Sequence, residues 1–101
     1  VLLNNSALAF KGTCIAGVTG AGNTKAWEFR GAIKRGANAA STTLVGSVIK
    51  DVLAYDAGAA TWDVDFTADT TNGALKVTVT GQVAPYTIRW VCKIETTELA
   101  F

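Results

Sequence analysis

TWDVDFTADTTNGALKVTVTG, residues 61–81, decides the fold and poses the first question about function. It holds three aspartates within seven positions, Asp63, Asp65 and Asp69. They spell a metal site, a catalytic carboxylate pair, or the wet face of a hairpin. Trp62, Val64 and Phe66 alternate with Asp63, Asp65 and Thr67. Beyond the turn, Leu75, Val77 and Val79 alternate with Lys76, Thr78 and Thr80. Successive side chains of a strand point to opposite faces, so the aspartates lie opposite the apolar face, beside Lys and Thr. DTTNG (69–73) carries Asn-Gly turn chemistry between the two runs. The stretch is therefore expected to be an antiparallel hairpin with a solvated acidic face. Lys76 is a candidate cross-strand partner for an aspartate, worth at most about 1 kcal/mol.

The sharper chemistries fit less well. DVDFTADTTNGA (63–74) places acids at positions 1, 3 and 7 of a calcium loop. Such a loop needs Gly at position 6 and Glu at 12, where this chain has Ala68 and Ala74. Residues i and i+2 of a strand lie about 6.5–7 Å apart, near the carboxylate spacing of an inverting glycosidase. Those enzymes also need a cleft and an acid with a raised pKa, which a flat, Thr-rich face does not offer. No catalytic, cofactor-binding or metal residue is assigned.

Outside the hairpin, Val, Thr, Ile and aromatics form runs separated by Gly, Asn and Asp, a strand-and-turn composition. Strands are expected at about 7–18, 25–34, 42–55, 61–67, 74–80 and 86–96. In the first, Leu8, Phe10, Cys14 and Ala16 share a phase. In the second, Trp27, Phe29 and Ile33 oppose Glu28, Arg30 and Lys34. In the last, Ile88, Trp90, Cys92 and Ile94 share a phase. GVTGAGN (17–23) joins two strands and opens no helix, so it is a hairpin loop and not a phosphate cradle. RGANAAST (35–42) is Ala-rich, but Gly36 and Asn38 make it a loop. Pro85, without an N–H, belongs in a turn. The expected fold is a single all-β domain over residues 1–101, an antiparallel, jelly-roll-like β-sandwich of six to eight short strands. The three tryptophans share phases with Phe, Ile or Val, so Trp27, Trp62 and Trp90 are expected in the core. Tyr55 and Tyr86, at strand ends, are the aromatics expected in solvent.

The 42–55 run departs from the pattern. Leu44, Val48, Val52 and Ala54 lie on one phase; Val45, Ile49, Leu53 and Tyr55 lie on the other. A strand apolar on both faces is buried on both, or a bulge switches its phase halfway. A neighbouring subunit is the favoured explanation. Half of the 101 residues are apolar, which is hard to hide in so small a domain. An obligate homo-oligomer is therefore expected, with residues 44–55 lending one face to the contact.

Composition excludes much else. Net charge is +1 and there is no basic tract, so the footprint of a nucleic-acid binder is missing. No apolar run approaches the roughly 20 residues of a membrane span. Histidine is absent, which removes the commonest general base and metal ligand. There is no G-x-S-x-G, no Ser-His-Asp set and no phosphate loop. The two cysteines, Cys14 and Cys92, are either bridged or free. Free thiols packed as small hydrophobes are the expectation, because a single possible bridge argues only weakly for an oxidising compartment.

Three stretches resemble a β-rich module of bacteriophage tail fibres and tail spikes: WEFRGAIKRGANAASTTLVGS (27–47), WDVDFTADTTNGALKVTVTG (62–81) and TIRWVCKIETTE (87–98). LLNNSALAF (2–10) is similar to the lead-in to that module's early strand. The resemblance covers residues 2 to 98. The hairpin and WEFRGAIKRG carry most of its specificity. It implies a virion structural protein of the phage tail, trimeric, acting in trimerisation, stability or attachment to a host receptor such as a surface glycan. It implies neither enzymatic activity nor a cofactor. The module usually has a further strand upstream of LLNNSALAF, so an edge is expected to be open or filled by another chain. Together with a start at Val1 in place of Met, this makes the chain the expected C-terminal part of a longer polypeptide, or a processed product. Cys14 and Cys92 stand where the module has ordinary apolar residues. A carbohydrate-binding or polysaccharide-degrading domain is the alternative, and a cell-surface adhesion module would share the fold.

Overall fold

The computed structural model describes residues 1–81 and 87–100; the expectations for Pro85 and Tyr86 fall outside the described residues. Among the described residues the chain is an antiparallel β-protein of seven strands. They are β1 (Ser6–Val18), β2 (Thr24–Arg35), β3 (Thr43–Leu44), β4 (Ile49–Tyr55), β5 (Asp63–Asp69), β6 (Ala74–Thr80) and β7 (Ile88–Ala100). Two single 3-10 turns, Ala39–Ser41 and Ala57–Ala59, interrupt the connections. The Ala-rich 35–42 stretch is thus a loop that winds one turn. Asn38 caps it, its Oδ1 accepting from the Ser41 N–H at 3.1 Å.

One layer has β2 and β1 at its centre, β7 on one edge, and β3 followed by β4 on the other. The second layer is the β5–β6 hairpin. The loop between β1 and β2 turns on Gly20 and Ala21, both at positive φ. At the β5–β6 turn only Gly73 is left-handed, at φ +66°. Asn72 is not, so this is a longer turn than a two-residue Asn-Gly hairpin. The Asp69 carboxylate stabilises it, accepting from the N–H of Thr71 and Asn72 at 3.0 and 3.1 Å.

The inward phase of β1 presents Phe10, Cys14 and Ala16; that of β2 presents Trp27, Phe29 and Ile33. The hairpin answers with Val64 and Phe66, and Trp62 precedes β5. Trp27 and Trp62 are 0% and 1% exposed, while Trp90 is half-buried and stacks on Trp27 with ring centroids 5.6 Å apart. Phe29 and Phe66 meet across the layers at 4.3 Å. Burying such a side chain is worth about 1.5–3 kcal/mol, so this aromatic row supplies much of the folding free energy.

Gly12 and Gly31 sit in this inward row where any side chain would displace a phenyl ring. A Cβ on Gly31 would come within 2.9 Å of the Phe10 ring, and one on Gly12 would strike the Lys93 backbone carbonyl and the Phe29 ring. Gly12→Ala should therefore lower stability by about 1–3 kcal/mol, measured by urea unfolding. A variant as stable as the parent would show that β1 and β7 are packed less closely than described.

The run 42–55 is not one strand. Gly46, at φ +70°, breaks it into β3 and β4, and Leu53 bulges out of register opposite the Ala26–Trp27 step. The phase switch left open by the sequence is therefore real. Leu44 and Val48 turn inward and pack against the core. Val45, Ile49, Val52, Leu53 and Tyr55 remain about half exposed.

The cysteines also differ from expectation: they are bridged, not free. Cys14 and Cys92 are register partners in the β1–β7 pairing, with Cα atoms 4.2 Å apart. Both lie on the inward phase of neighbouring strands, and adjacency of β1 to β7 brings the two sulfurs together. Seventy-eight residues of sequence hid that adjacency.

Candidate interaction surface

The aspartates are on the surface. Asp63 and Asp65 project from the outer face of β5, and Asp69 folds back on its own turn. Lys76 is not their partner. Lys50 of β4 reaches over from the other layer, its Nζ 2.8 Å from Asp63 Oδ1 and 3.9 Å from Asp65 Oδ1. The same Nζ donates to the Val64 carbonyl at 2.8 Å. The acidic face is thus the receiving half of an interlayer clamp. Among the described residues, no three His, Cys, Asp or Glu side chains gather in a way that could hold a metal ion.

Partial burial pushes the Asp63 carboxyl up, but hydrogen bonds from Lys50 and the Val64 N–H, with the Lys50 charge, outweigh it and hold it below its ordinary 3.8. Hydrogen bonds from the Asn72 side chain, then the Asn72 and Thr71 N–H groups, lower Asp69 likewise. A carboxyl lowered in the folded state stabilises the fold above its unfolded pKa, and that contribution is lost as pH falls through the folded value. Melting temperature should therefore drop as pH falls below about 4. Asp63→Asn should flatten part of that drop and cost about 0.5–1 kcal/mol at neutral pH, since the pair is half exposed. A melting curve with the same acid slope in parent and variant would contradict the clamp.

Two further basic side chains act the same way, both on the inward phase of β2. Lys25, almost fully buried, donates to the Trp62 and Ala60 carbonyls at 2.7 and 3.0 Å. Its ammonium lies 5.3 Å from the Trp27 ring and 5.4 Å from the Tyr55 ring. Arg35 donates to the Leu2 carbonyl at 3.0 Å. Lys25, Arg35 and Lys50 are therefore structural ties between backbone and layer, not ligands for an anion. Tyr55 is exposed as expected, but one face of its ring is occupied by Lys25.

Much of what the fold leaves uncovered is apolar. The hairpin spans only part of the five-stranded layer. β5 lies against the β4 side, where Lys50 holds it, and β6 lies towards β1. The inward phase of β7 has nothing over its second half: Ile94 is 37% exposed, and Thr96 and Glu98 are open. Between β6 and β7 runs a groove of about 340 Å³ lined by Ser6, Leu8, Leu75, Val77, Ile94, Thr96 and Glu98, with Val1 and Leu2 at one end. Among the described residues β6 pairs with β5 alone and β7 with β1 alone, so each has a free edge. The opposite edge carries the second apolar set, with Ile49 at 49% and Leu53 at 54% exposure. The radius of gyration, 15.3 Å, exceeds the roughly 13 Å of a compact chain this long, because the long strands run past the hairpin that covers them. Long apolar edges are templates for pairing with another chain.

The inward Lys25 and Arg35 and the Cys14–Cys92 bridge were not foreseen. Lys25 and Arg35 share the phase of Trp27, and that register was the available signal. The chain matches no family model, no curated protein and no solved structure.

Proposed function

We propose that this chain is a non-enzymatic structural module of a phage tail fibre or tail spike, located in the virion, which works by assembling with copies of itself. The observation that carries the reading is the pair of apolar edges, Ile49 to Tyr55 on one side and Ile94 with the β6–β7 groove on the other. An isolated domain rarely leaves that much apolar edge in water. The resemblance of residues 27–47, 62–81 and 87–98 to tail modules supplies the virion context and the number three. The acids support it too: they are engaged in ion pairs or in the hairpin turn and do not converge on a cleft. Trimerisation and stability are the primary role, and any attachment to a host-surface glycan is carried by the assembled oligomer. No nucleic acid takes part, and among the described residues no helix is long and apolar enough to cross a membrane.

Immunogold labelling of purified virions of the encoding phage, with antibody raised against this domain, tests the reading. Label along the tail is the expected result. Particles free of the polypeptide by both labelling and mass spectrometry would overturn it.

A further inference from the structure

We propose that the Cys14–Cys92 bridge exchanges with thiols and disulfides in solution through one sulfur, that of Cys92, while the chain stays folded. The pair is then a latch on β7 that closes after folding and reopens under reducing conditions. Such a latch belongs to the single chain, whatever its assembly.

The two ends of the bridge sit in different surroundings. Cys14 lies in β1, inside the five-stranded layer, with Trp27 as its register partner on one side and Cys92 on the other. It is 0% exposed, within the aromatic core. Cys92 is exposed, and its neighbours on the same phase are the half-buried Trp90 and the 37% exposed Ile94. Among the described residues β7 pairs with β1 alone, so no strand lies beyond Cys92. In thiol–disulfide exchange the incoming thiolate approaches one sulfur from the side opposite the sulfur that leaves. For Cys92 that line comes in from the open edge of β7. For Cys14 it runs through β2, where Trp27 stands.

Opening takes two displacements. A thiolate from solution bonds to the Cys92 sulfur, the bond between the cysteines breaks, and Cys14 leaves with the electron pair and takes a proton from water. A second thiolate then attacks the solution-derived sulfur of the mixed disulfide and releases Cys92. The pair gains two electrons, and the two small thiols become one disulfide. Closing is the reverse. Cys92 attacks a small disulfide and expels one thiol, and Cys14 displaces the other from Cys92. That last step joins residues whose Cα atoms are already 4.2 Å apart, so proximity favours closure over a lasting adduct. Nor does the fold wait for the bridge. Phe29 meets Phe66, and Lys50 holds Asp63, without β7 taking part. β7 in turn pairs with β1 along its whole length, Ile88 to Ala100.

Single-cysteine variants test the assignment. Cys14→Ala keeps Cys92, and Cys92→Ala keeps Cys14. Each is given oxidised glutathione in native buffer and in urea, and mass spectrometry follows the adduct. Cys92 should react in native buffer within about tenfold of its rate in urea. Cys14 should react at least about 100-fold more slowly than in urea, because only opening of the core exposes it. Far-UV circular dichroism checks that both variants are folded. If either is not, the bridged parent is given reduced glutathione in native buffer, quenched in acid, and its first adduct located by peptide mapping, with Cys92 the expected position. Comparable native rates at the two cysteines, or a first adduct on Cys14, would overturn the assignment. The reduced parent should also re-form its bridge with oxidised glutathione while its circular dichroism stays native. A reduced parent that is unfolded, or one that closes only after denaturation, would overturn the latch.

Discussion

Trp27→Ala should lower the unfolding free energy by about 3–5 kcal/mol, the usual cost of deleting a buried indole. Trp27 is fully buried at the centre of β2, stacks on Trp90 and lies beneath the Lys25 ammonium. Its loss removes more than its own contacts, because Trp90 is only half covered and has Trp62 as its other aromatic neighbour, at 6.3 Å. A domain of this length has about 5–15 kcal/mol in total, so the variant should be partly unfolded at 25 °C or melt far below the parent. Urea unfolding followed by circular dichroism measures the difference. A cost below about 1 kcal/mol would mean that the aromatic row is not the core.

The second large effect is expected from the disulfide. Cys14–Cys92 closes 78 residues of chain. A loop of that length constrains the unfolded state enough to stabilise the fold by about 2–4 kcal/mol, though the thermodynamic origin of such gains is model-dependent. The double variant Cys14→Ala/Cys92→Ala should lose that amount. The parent in excess dithiol should lose a similar amount, and adding dithiol to the variant should change nothing. The bridge fixes β7 to β1 in mid-strand, so its removal should be felt first at β7, the edge that the hairpin does not cover. Equal unfolding midpoints for oxidised parent and variant would contradict this.

The hairpin at 61–81 was legible because both its strands alternate strictly and a turn motif separates them. The inward phase of β2 was legible at Trp27, Phe29 and Ile33 for the same reason. The same phase continues at its ends to Lys25 and Arg35, which donate to backbone carbonyls and drew no reading from the sequence. A charged residue at a strand end looks solvated until the loop it ties down is in place. The 42–55 run looked continuous because Val, Ile and Leu continue through it. Only the left-handed Gly46 and the bulge at Leu53 divide it, and neither interrupts the hydropathy. The bridge and the Lys50–Asp63 clamp depend on strand order and layer stacking, which local pattern does not encode. The uncovered side of β7 follows from the same cause: counting strands does not reveal that they divide five against two.

Self-assembly is the central claim, and the mass of the parent chain in solution tests it most directly. Static light scattering of the purified domain at micromolar concentration, in non-reducing buffer at neutral pH, should give a multiple of the 10.5 kDa protomer, three being the expected number. The apolar edges at Ile49, Leu53 and Ile94 would then be shared between copies. A well-folded species of a single protomer mass, unchanged on concentration, would contradict the account.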